Sequence, residues 1–530
     1  MLGFGEALLL VAFVVYCLFH FVTFGYAVAW VTAVLLCAAG YVRWKQSYWR
    51  RVGVPGPPPY FLIGNINIMF RLRDSSTELH KQYGPFVGFY TFFRPVLMVS
   101  DLSALKRVLV KDFPSFANRS KLNSKNRKSL LTQMVSVLED QRWKDVRNTI
   151  TPSFTSGKMK QMIGMMNQCV SVMCDILQEK VKTGEEIQLK ELCSNLTMDI
   201  IAVTAFATNI DAQRVQNSPF VIHANKLFSF SMKKPQIWIA FAFPNLVAKL
   251  DQYFDLQLFF SEEEKFFRKS LGMILEERKK TPRANPDFLQ MLLNALEQRE
   301  NTDHDEEITH ENLGGRKVQL TNDEIMAQCM VFMIAGYETT ATTLHFALYC
   351  LATHPHIQQL CLQELDRVLQ GQEKVTYDVV QTKTPYLEAV MMETLRMFPA
   401  ATLTGRRAAS DFNLDGVLLQ EGTDVWIPIW QVHYDPENYP EPEKFRPERF
   451  LPEQRAIRDP ITFLPFGFGP RNCIGMRFAQ LEIKLALANI LTKFRFEPSE
   501  NTEAFPPKLS NNSAMMKTEK PIVLNVVPRV

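Results

Sequence analysis

The 530-residue sequence lacks the marks of several common protein classes. Its nine cysteines are scattered and none forms a CxxC pair, which disfavours a zinc site and a disulfide framework and indicates a reducing compartment. No basic stripe is interleaved with aromatic residues and the net charge is only +4, so no nucleic-acid partner is expected. No flavin- or dinucleotide-binding fingerprint, interior linker or internal repeat occurs, which favours one large domain.

Charged residues are absent from Ala7 to Val42. This apolar run exceeds the roughly 20 residues that a membrane span needs. No small-residue cleavage site stands out, so we expect a retained membrane anchor over residues 1–42 rather than a signal peptide. A tilted or bent span and a span with an interfacial segment both remain open. Basic residues follow the run and place its C-terminal side in the cytosol: Arg43, Lys45, Arg50 and Arg51.

A basic, proline-rich hinge is predicted at residues 43–65, and a globular domain at 66–530. Beyond about residue 100 the apolar spacing is mostly helical. Phe86–Ser100 predicts two short strands with a turn near Arg94-Pro95.

One long, nearly continuous apolar helix is predicted from a capping box at Thr321 and Glu324 to Ala352. A helix this apolar must be buried, yet Glu338 and Thr339 lie at its middle. Glu338 would be a buried charge unless it is paired. A packing notch, in which a threonine bonds back to its own helix, is an equally good interpretation of this pattern alone.

Cys473 lies in the glycine-rich stretch PFGFGPRNCIGMRF, Pro465 to Phe478. No histidine lies nearby to activate a nucleophile, and no further ligands are clustered for zinc. A sole axial ligand of haem iron needs only a stabilised thiolate. Glycines would let backbone amides approach the sulfur, and the helix predicted from Met476 would point its positive end at it. An inert cysteine in a tight turn is the alternative.

These patterns together resemble the cytochrome P-450 family over nearly the whole chain. The haem-loop pattern of the family is matched by Phe466, Gly469, Arg471, Cys473 and Gly475. Its oxygen-activation pattern is matched by Ala335, Gly336, Tyr337, Glu338 and Thr339. Further matches are Glu393 with Arg396, the PERF arginine Arg449, and Trp143 with Arg147. The stretches FANRS, TPSFTSGKMKQM and PRNCIGMRFA are most similar to the 3A subfamily and its relatives, including thromboxane synthase.

The resemblance implies a mainly α-helical cytochrome P-450 fold with small β-sheets and an N-terminal membrane anchor helix. It implies haem b as cofactor, held by Cys473 as the metal ligand and shielded by Phe466. Haem propionates would be bound by five side chains: Trp143, Arg147, Arg406, Arg471 and Arg119. Glu393, Arg396 and Arg449 would form a buried ion network needed for folding and haem retention.

The implied activity is monooxygenation of a lipophilic substrate, a xenobiotic, steroid or lipid. Gly336 and Thr339 would open the long helix, and Thr339 with Glu338 would deliver protons to dioxygen. Two alternatives are an endoperoxide isomerase like thromboxane synthase and a non-catalytic haem-binding membrane protein. The intact Thr339 favours the monooxygenase, because neither alternative requires proton delivery.

The resemblance also implies partners and a location. Electrons would come from NADPH through NADPH–cytochrome P-450 reductase, with cytochrome b5 as a second donor, and would enter at a surface that includes Lys144, Lys444 and Lys484. A single N-terminal anchor in membrane lipid would hold the catalytic domain on the cytosolic face of the endoplasmic reticulum. The predicted substrate wall comprises Phe332, Ala335, Ala400, Ala401, Thr402, Thr404, Ala514 and Met515.

Overall fold

A computed structural model describes the chain over residues 4–21, 24–120, 129–215, 217–228, 239–240, 243–254, 260–281, 287–300, 320–370, 374–511 and 515–529. The chain forms two compact units. The first unit comprises Met1–Thr132, Ser231–Ser261 and Leu403–Gln431, and the second comprises Gln133–Phe230, Glu262–Thr402 and Val432–Val530. The predicted boundaries at residues 42 and 65 stay predictions.

Helices make up most of the described chain. They are α1 (Phe4–Phe21), α2 (Phe24–Lys45), α3 (Tyr48–Arg51), α4 (Asn67–Phe70), α5 (Leu72–Tyr83), α6 (Leu102–Lys106), α7 (Leu130–Gln133), α8 (Asp140–Ile150), α9 (Ser156–Thr183), α10 (Leu189–Phe206), α11 (Pro219–Phe228), α12 (Pro244–Phe254), α13 (Ser261–Lys280), α14 (Phe288–Glu300), α15 (Asn322–Thr353), α16 (Pro355–Leu369), α17 (Pro385–Met397), α18 (Ile429–His433), α19 (Pro452–Ile457) and α20 (Met476–Lys493).

The strands are short and few. They are β1 (Phe86–Thr91), β2 (Arg94–Val99), β3 (Ile187–Gln188), β4 (Thr404–Arg407), β5 (Phe412–Leu414), β6 (Val417–Leu419), β7 (Asp424–Ile427), β8 (Phe494–Pro498) and β9 (Val523–Pro528). The first unit holds a four-stranded sheet of order β1-β2-β7-β4 and the β5–β6 hairpin, and the second unit holds the sheet β3-β9-β8. The predicted mainly α-helical fold with small sheets is confirmed.

The β1–β2 hairpin turns earlier than the sequence predicted. Thr91 pairs with Arg94, so the turn consists of Phe92 and Phe93, and Arg94-Pro95 already belong to β2. Phe92 has a φ of 56°, a left-handed conformation that two-residue hairpin turns require. Aromatic residues gave no signal for this turn, because they are typical of strands.

Helix α15 is the central helix of the second unit. The predicted capping box is present: Thr321 accepts a hydrogen bond from the amide of Glu324, and the Glu324 carboxylate accepts one from the amide of Thr321. The helix ends at Thr353, before Pro355, as predicted. Gly336 brings α10 close to α15, because a Cβ placed on this glycine would lie 3.1 Å from Cδ1 of Ile201.

The N-terminal apolar run forms two helices, α1 and α2. Gly25–Lys45 is long and apolar enough to cross a membrane, and it is only 11% buried. The apolar part of α1, Gly5–Cys17, is shorter.

Candidate active site

The Cys473 loop is shaped by two glycines in left-handed conformations, Gly467 with a φ of 68° and Gly469 with a φ of 75°. The turn brings the amide of Cys473 to 2.8 Å from the carbonyl oxygen of Phe466. Gly475 is the N-cap of α20, so the positive end of that helix follows the cysteine directly. Cys473 is exposed, whereas the other cysteines of the second unit are buried: Cys169, Cys174, Cys193, Cys329, Cys350 and Cys361.

Three of the predicted propionate ligands surround this loop. Arg147 of α8 donates hydrogen bonds to both the carbonyl oxygen and Oδ1 of Asn472, each at 2.9 Å. The guanidinium of Arg471 lies 4.6 Å from the ring centre of Trp143 and donates to the carbonyl oxygen of Leu138. No local pattern indicated a role for Asn472, whose backbone and side chain fix Arg147 against the cysteine loop.

The other two predicted propionate ligands lie in the first unit. Arg406 is a buried residue of β4, and Arg119 precedes Ser120, whose hydroxyl donates to the carbonyl oxygen of Arg406 at 3.2 Å. Asn118 and Arg407 pair as an isolated β-bridge beside them. Arg119 and Arg406 therefore lie in two neighbouring backbone segments of the first unit.

The donor set of the cysteine loop fits haem b. An exposed thiol at the start of a helix supplies one soft axial ligand for iron. Two guanidinium groups within the same loop-and-helix cluster match the carboxylates that the macrocycle carries. Cys473 would hold the iron, with Arg471 and Arg147 toward the propionates.

The middle of α15 presents a narrow accessible stripe. Ala335 is exposed and Val331, Ile334 and Thr339 are partly exposed, whereas Phe332, Met333, Tyr337 and Glu338 are buried. The accessible positions recur at three- and four-residue intervals, so they share one face of the helix. Val331 and Ile334 were missed by the sequence analysis, although their spacing from Ala335 and Thr339 was a usable signal.

The expected opening of the helix at Gly336 and Thr339 is wrong for this structure. α15 is continuous from Asn322 to Thr353, and Gly336 faces Ile201. Thr339 donates its hydroxyl to the carbonyl oxygen of Ala335 at 2.6 Å, which is the back-bonded arrangement of the alternative interpretation.

Glu338 is paired, as its burial requires. Its side chain is 1% exposed, and its Oε1 lies 3.0 Å from Nζ of Lys190, the second residue of α10. The same ammonium donates to Oγ1 of Thr342 at 3.0 Å. Burial lowers the pKa of Lys190, and the carboxylate of Glu338 opposes that shift. Lys190 was missed by the sequence analysis, because it lies far from Glu338 in the chain.

A cleft of about 1170 Å³ in the second unit leads to this ion pair. It is lined by residues of α9, α10 and α11 and of the segment before β9, and Lys190, Tyr337 and His345 line it. Burial lowers the pKa of His345 to about 3, so that imidazole is neutral at physiological pH. The cleft therefore opens toward Lys190, whereas the carboxylate of Glu338 stays buried behind it.

Glu393, Arg396 and Arg449 are brought together in the second unit. Glu393 and Arg396 are fully buried on α17 and form a bidentate pair, with Nε–Oε2 at 2.7 Å and Nη2–Oε1 at 2.8 Å. Arg449 approaches Oε1 of Glu393 at 3.4 Å, and the amide of Arg446 donates to that oxygen at 3.0 Å. Burial opposes the charge of Arg396, yet the bonds to Glu393 hold its pKa above the ordinary value.

His433 completes this network and was missed by the sequence analysis. Its Nε2 accepts a hydrogen bond from the amide of Leu464 at 2.8 Å, so Nδ1 carries the proton and donates to the carbonyl oxygen of Arg396 at 3.0 Å. Burial lowers the pKa of His433 to about 3, which keeps the ring neutral. The neutral ring links α17 to the segment that precedes the cysteine loop.

The predicted substrate wall is only partly brought together. Ala401 pairs with Met515, and the amide of Met516 donates to the carbonyl oxygen of Ala400 at 2.9 Å. Thr402 follows in the second unit and is partly exposed, Thr404 begins β4 of the first unit, and Ala514 lies outside the described residues.

Phe332 does not lie on the accessible face of α15, so its assignment to the wall is corrected. Its ring centre lies 4.3 Å from that of Phe288 and 5.3 Å from that of Phe154, inside an aromatic cluster of the core. Lys484, predicted to contact a reductase, is also buried, and its ammonium pairs with Glu388 at 3.0 Å. The spacing of residues along the sequence did not reveal which face of each helix packs inward.

The family model for cytochrome P450 matches residues 54–526 of this chain. The chain belongs to the cytochrome P450 family. It is 36% identical to cytochrome P450 3A14 of Cavia porcellus over 493 residues, covering 92% of this chain and 94% of the relative. It is also 36% identical to cytochrome P450 3A31 of Mesocricetus auratus over 490 residues and to cytochrome P450 3A2 of Rattus norvegicus over 488 residues, each covering 92% of this chain and 93% of the relative.

Membership of the cytochrome P450 family establishes the class of chemistry. The protein is a haem-thiolate monooxygenase, an oxidoreductase that binds haem b and uses electrons from NADPH delivered through a redox partner. Bound haem supplies the activation of dioxygen and the transfer of one oxygen atom to a lipophilic substrate. The predicted resemblance to the 3A subfamily is confirmed by these relatives.

Proposed function

We propose that this P450 hydroxylates lipophilic small molecules, such as xenobiotics, steroids or lipids, on the cytosolic face of the endoplasmic reticulum. NADPH–cytochrome P450 reductase supplies the electrons, and cytochrome b5 is a second donor. The observation that carries the proposal is the buried pair of Glu338 and Lys190 beside Thr339, on a helix whose accessible face also carries Ala335.

The proton supply is assigned to three side chains in sequence. Water in the cleft exchanges protons with Lys190, which holds the carboxylate of Glu338 at 3.0 Å. Glu338 precedes Thr339, and the Thr339 hydroxyl lies on the accessible stripe. If its bond to the Ala335 carbonyl were released, the Thr339 hydroxyl would be free to donate a proton on the accessible stripe. An endoperoxide isomerase or a haem-storage protein has no use for such a relay.

The haem ligands are assigned by role. Cys473 would hold the iron as thiolate, and Phe466, Gly469 and Gly475 shape its loop. Arg471, Arg147 and Trp143 would bind propionate, and Arg406 and Arg119 stay further candidates for that role. Glu393, Arg396 and Arg449, together with His433, hold the loop in place rather than taking part in the reaction.

The substrate wall is assigned to the accessible stripe of α15 and to the Ala400–Ala401 segment that pairs with Met515. Val331 and Ile334 replace Phe332 in this assignment. All of these side chains except Thr339 are apolar, so a substrate gains affinity mainly by removing hydrocarbon from water. This composition accepts many lipophilic shapes and selects none by hydrogen bonding.

The electron-entry surface is assigned to exposed cations of the second unit. Lys144 of α8 and Lys444 remain candidates, and Arg477 of α20, four residues after Cys473, replaces the buried Lys484. Their positive charges would attract an acidic face of the reductase, so the association should weaken as salt is added.

The test begins with the carbon monoxide spectrum of the dithionite-reduced protein. A Soret band displaced well to the red of that of histidine-ligated haem supports a Cys473 thiolate, and a band at the ordinary position contradicts it. Thr339→Ala in membranes with reductase and NADPH should then release peroxide and form several-fold less product per NADPH. Thr340→Ala, a buried neighbour, is the matched control. Equal product yield in both variants would overturn the role of Thr339, and turnover without NADPH would indicate an isomerase.

A further inference from the structure

A small cavity lies in the core of the second unit, beside α15. It has a volume of about 20 Å³, slightly more than the roughly 10–15 Å³ that one water-sized molecule needs. Its walls come from α9, α10, α14, α15 and α20 and from the segment before α9. The main lining side chains are buried except for the partly exposed Phe154: Phe154, Ile201, Ala205, Phe288, Phe332 and Phe478. The cavity therefore has room for one molecule of very few atoms.

Four phenylalanine rings form much of the wall and belong to one cluster. The ring centre of Phe332 lies 4.3 Å from that of Phe288 and 5.3 Å from that of Phe154. The ring centres of Phe154 and Phe478 lie 6.4 Å apart. These three pairs meet at 65°, 36° and 82° rather than stacking face to face. Because aromatic rings are rigid, the gap that remains among them cannot be closed by a change in side-chain shape.

The surface of the cavity is almost entirely hydrocarbon. Its polar lining residues are Ser153 and Thr204, and the Thr204 hydroxyl donates to the carbonyl oxygen of Ile200 at 2.6 Å, within its own helix. A buried water needs about two to four polar partners, and apolar cavities without them stay dry and bind apolar guests such as xenon. The cavity thus favours a small, uncharged, apolar molecule over water.

The cavity touches the two helices that carry the predicted reaction site. Phe478 lies on α20, five residues after Cys473, and Phe332 lies on α15 directly after Val331 of the accessible stripe. The monooxygenase reaction of the family consumes dioxygen, which is a small apolar molecule. We propose that this cavity binds dioxygen and supplies it to the accessible stripe of α15. The gas site is additional to the proposed function and does not depend on which lipophilic substrate is oxidised.

Xenon, an apolar atom, probes the cavity directly. Xenon NMR titration of the haem-loaded protein should show a saturable component that is lost in Ala205→Val, because the added methyl groups fill the space. Phe288→Leu enlarges the cavity and should strengthen that component. Val203→Leu, at a partly exposed position of α10 that does not line the cavity, is the matched control and should leave it unchanged. An equal component in Ala205→Val, or no response to Phe288→Leu, would overturn the site.

The rate of gas binding tests whether the site supplies the reaction. Carbon monoxide is a small apolar diatomic gas like dioxygen, and its rebinding to the dithionite-reduced protein after flash photolysis needs neither substrate nor reductase. Ala205→Val should slow bimolecular rebinding several-fold, and saturating xenon should slow it in the unmodified protein but not in the variant. Equal rates in the two proteins would show that the cavity is not on the path of the gas, and would overturn the proposal.

The equilibrium carbon monoxide spectrum separates this inference from the haem assignment. The spectrum should be the same in Ala205→Val, Phe288→Leu and the unmodified protein, since none of these changes touches the Cys473 loop. A failed gas site in protein with that spectrum therefore leaves the monooxygenase assignment intact.

Discussion

Lys190 Nζ lies 3.0 Å from Oε1 of Glu338 and 3.0 Å from Oγ1 of Thr342. One ammonium thus connects the start of α10 to two successive turns of α15. The side chain of Lys190 is 32% exposed and that of Glu338 is 1% exposed, so the lysine faces the cleft and the carboxylate does not. This geometry supports the proposed role of Lys190 as the residue that connects the cleft to the buried acid.

Lys190→Met should lower product per NADPH several-fold and raise peroxide release. Loss of the cation leaves Glu338 buried without a counter-charge and removes the side chain that connects it to the cleft. Lys190→Arg keeps a cation in reach and should restore most of the coupling. Lys182→Met on the exposed end of α9 is the control. Unchanged coupling and an unchanged pH profile in Lys190→Met would rule out the relay.

Glu393→Gln should lower haem content and destabilise the protein. Removing the fully buried carboxylate leaves the guanidinium of Arg396 uncompensated, which costs about 3–5 kcal/mol. Arg455→Gln, which breaks an exposed pair with Glu388, should cost less than about 1 kcal/mol. The measurements are the haem-to-protein ratio and the urea midpoint. Equal midpoints for the two variants would contradict a structural role for the Glu393 network.

Glu482 on α20 should lower the free energy of unfolding as the pH rises. Its side chain is 2% exposed, neither carboxyl oxygen has a hydrogen-bond partner among the described residues, and burial raises its pKa well above the ordinary value. Below the ordinary carboxyl pKa the acid is protonated in both states and carries no penalty. As pH rises above that value the unfolded chain releases the proton while the folded chain retains it, so the free energy of unfolding falls.

Glu482→Gln, which is neutral at every pH, should therefore be more stable than the unmodified protein at about pH 8 and similar to it at about pH 4. Each unit of pKa difference corresponds to about 1.4 kcal/mol. The comparison is made by urea unfolding at both pH values, with the exposed Glu437→Gln as control. A Glu482→Gln variant that is less stable at the higher pH would show that the carboxylate is charged and paired.

Ile334→Phe should change the product distribution and the apparent KM, because Ile334 lies on the accessible stripe of α15. Phe332→Ala should instead leave the product distribution unchanged and lower the free energy of unfolding by about 3–5 kcal/mol, the usual cost of emptying a core phenylalanine site. Product profiles with a panel of steroids and fatty acids, together with thermal melts, separate the two effects. A change in regioselectivity caused by Phe332→Ala alone would reverse the assignment.

Charge reversal at Arg477, Lys144 or Lys444 should raise the apparent KM for reductase several-fold at low salt and much less at high salt. Lys269→Glu, an exposed site on α13, is the matched control for added negative charge. Lys484→Glu should act differently: it places a second carboxylate beside Glu388 in a buried position and destabilises the fold. If charge reversal at a residue changes neither the KM for reductase nor its dependence on salt, that residue lies outside the electron-entry surface.

Local sequence signals predicted the elements well where both ends of an element are encoded nearby. Thr321 and Glu324 specify where α15 begins and Pro355 where it must end, because capping and proline geometry act within one turn. The same signals could not predict that Phe92 and Phe93 form a turn. The position of β2 depends on its pairing with β7, a strand that lies far away in the sequence. Side-chain direction around α15 likewise depended on α10 packing at Gly336.

The chemistry of this protein is indicated by short motifs. A cysteine loop with glycines at fixed spacing, an acid–threonine pair and a Glu-x-x-Arg helix carry the resemblance to haem-thiolate monooxygenases, and they are readable in the sequence because each pattern is local and needs few neighbours. Tertiary packing determines which distant groups contact the predicted site residues: Lys190 for Glu338, His433 for Arg396 and Asn472 for Arg147. Partners of this kind depend on how helices pack, and packing is set by the whole core rather than by any short stretch.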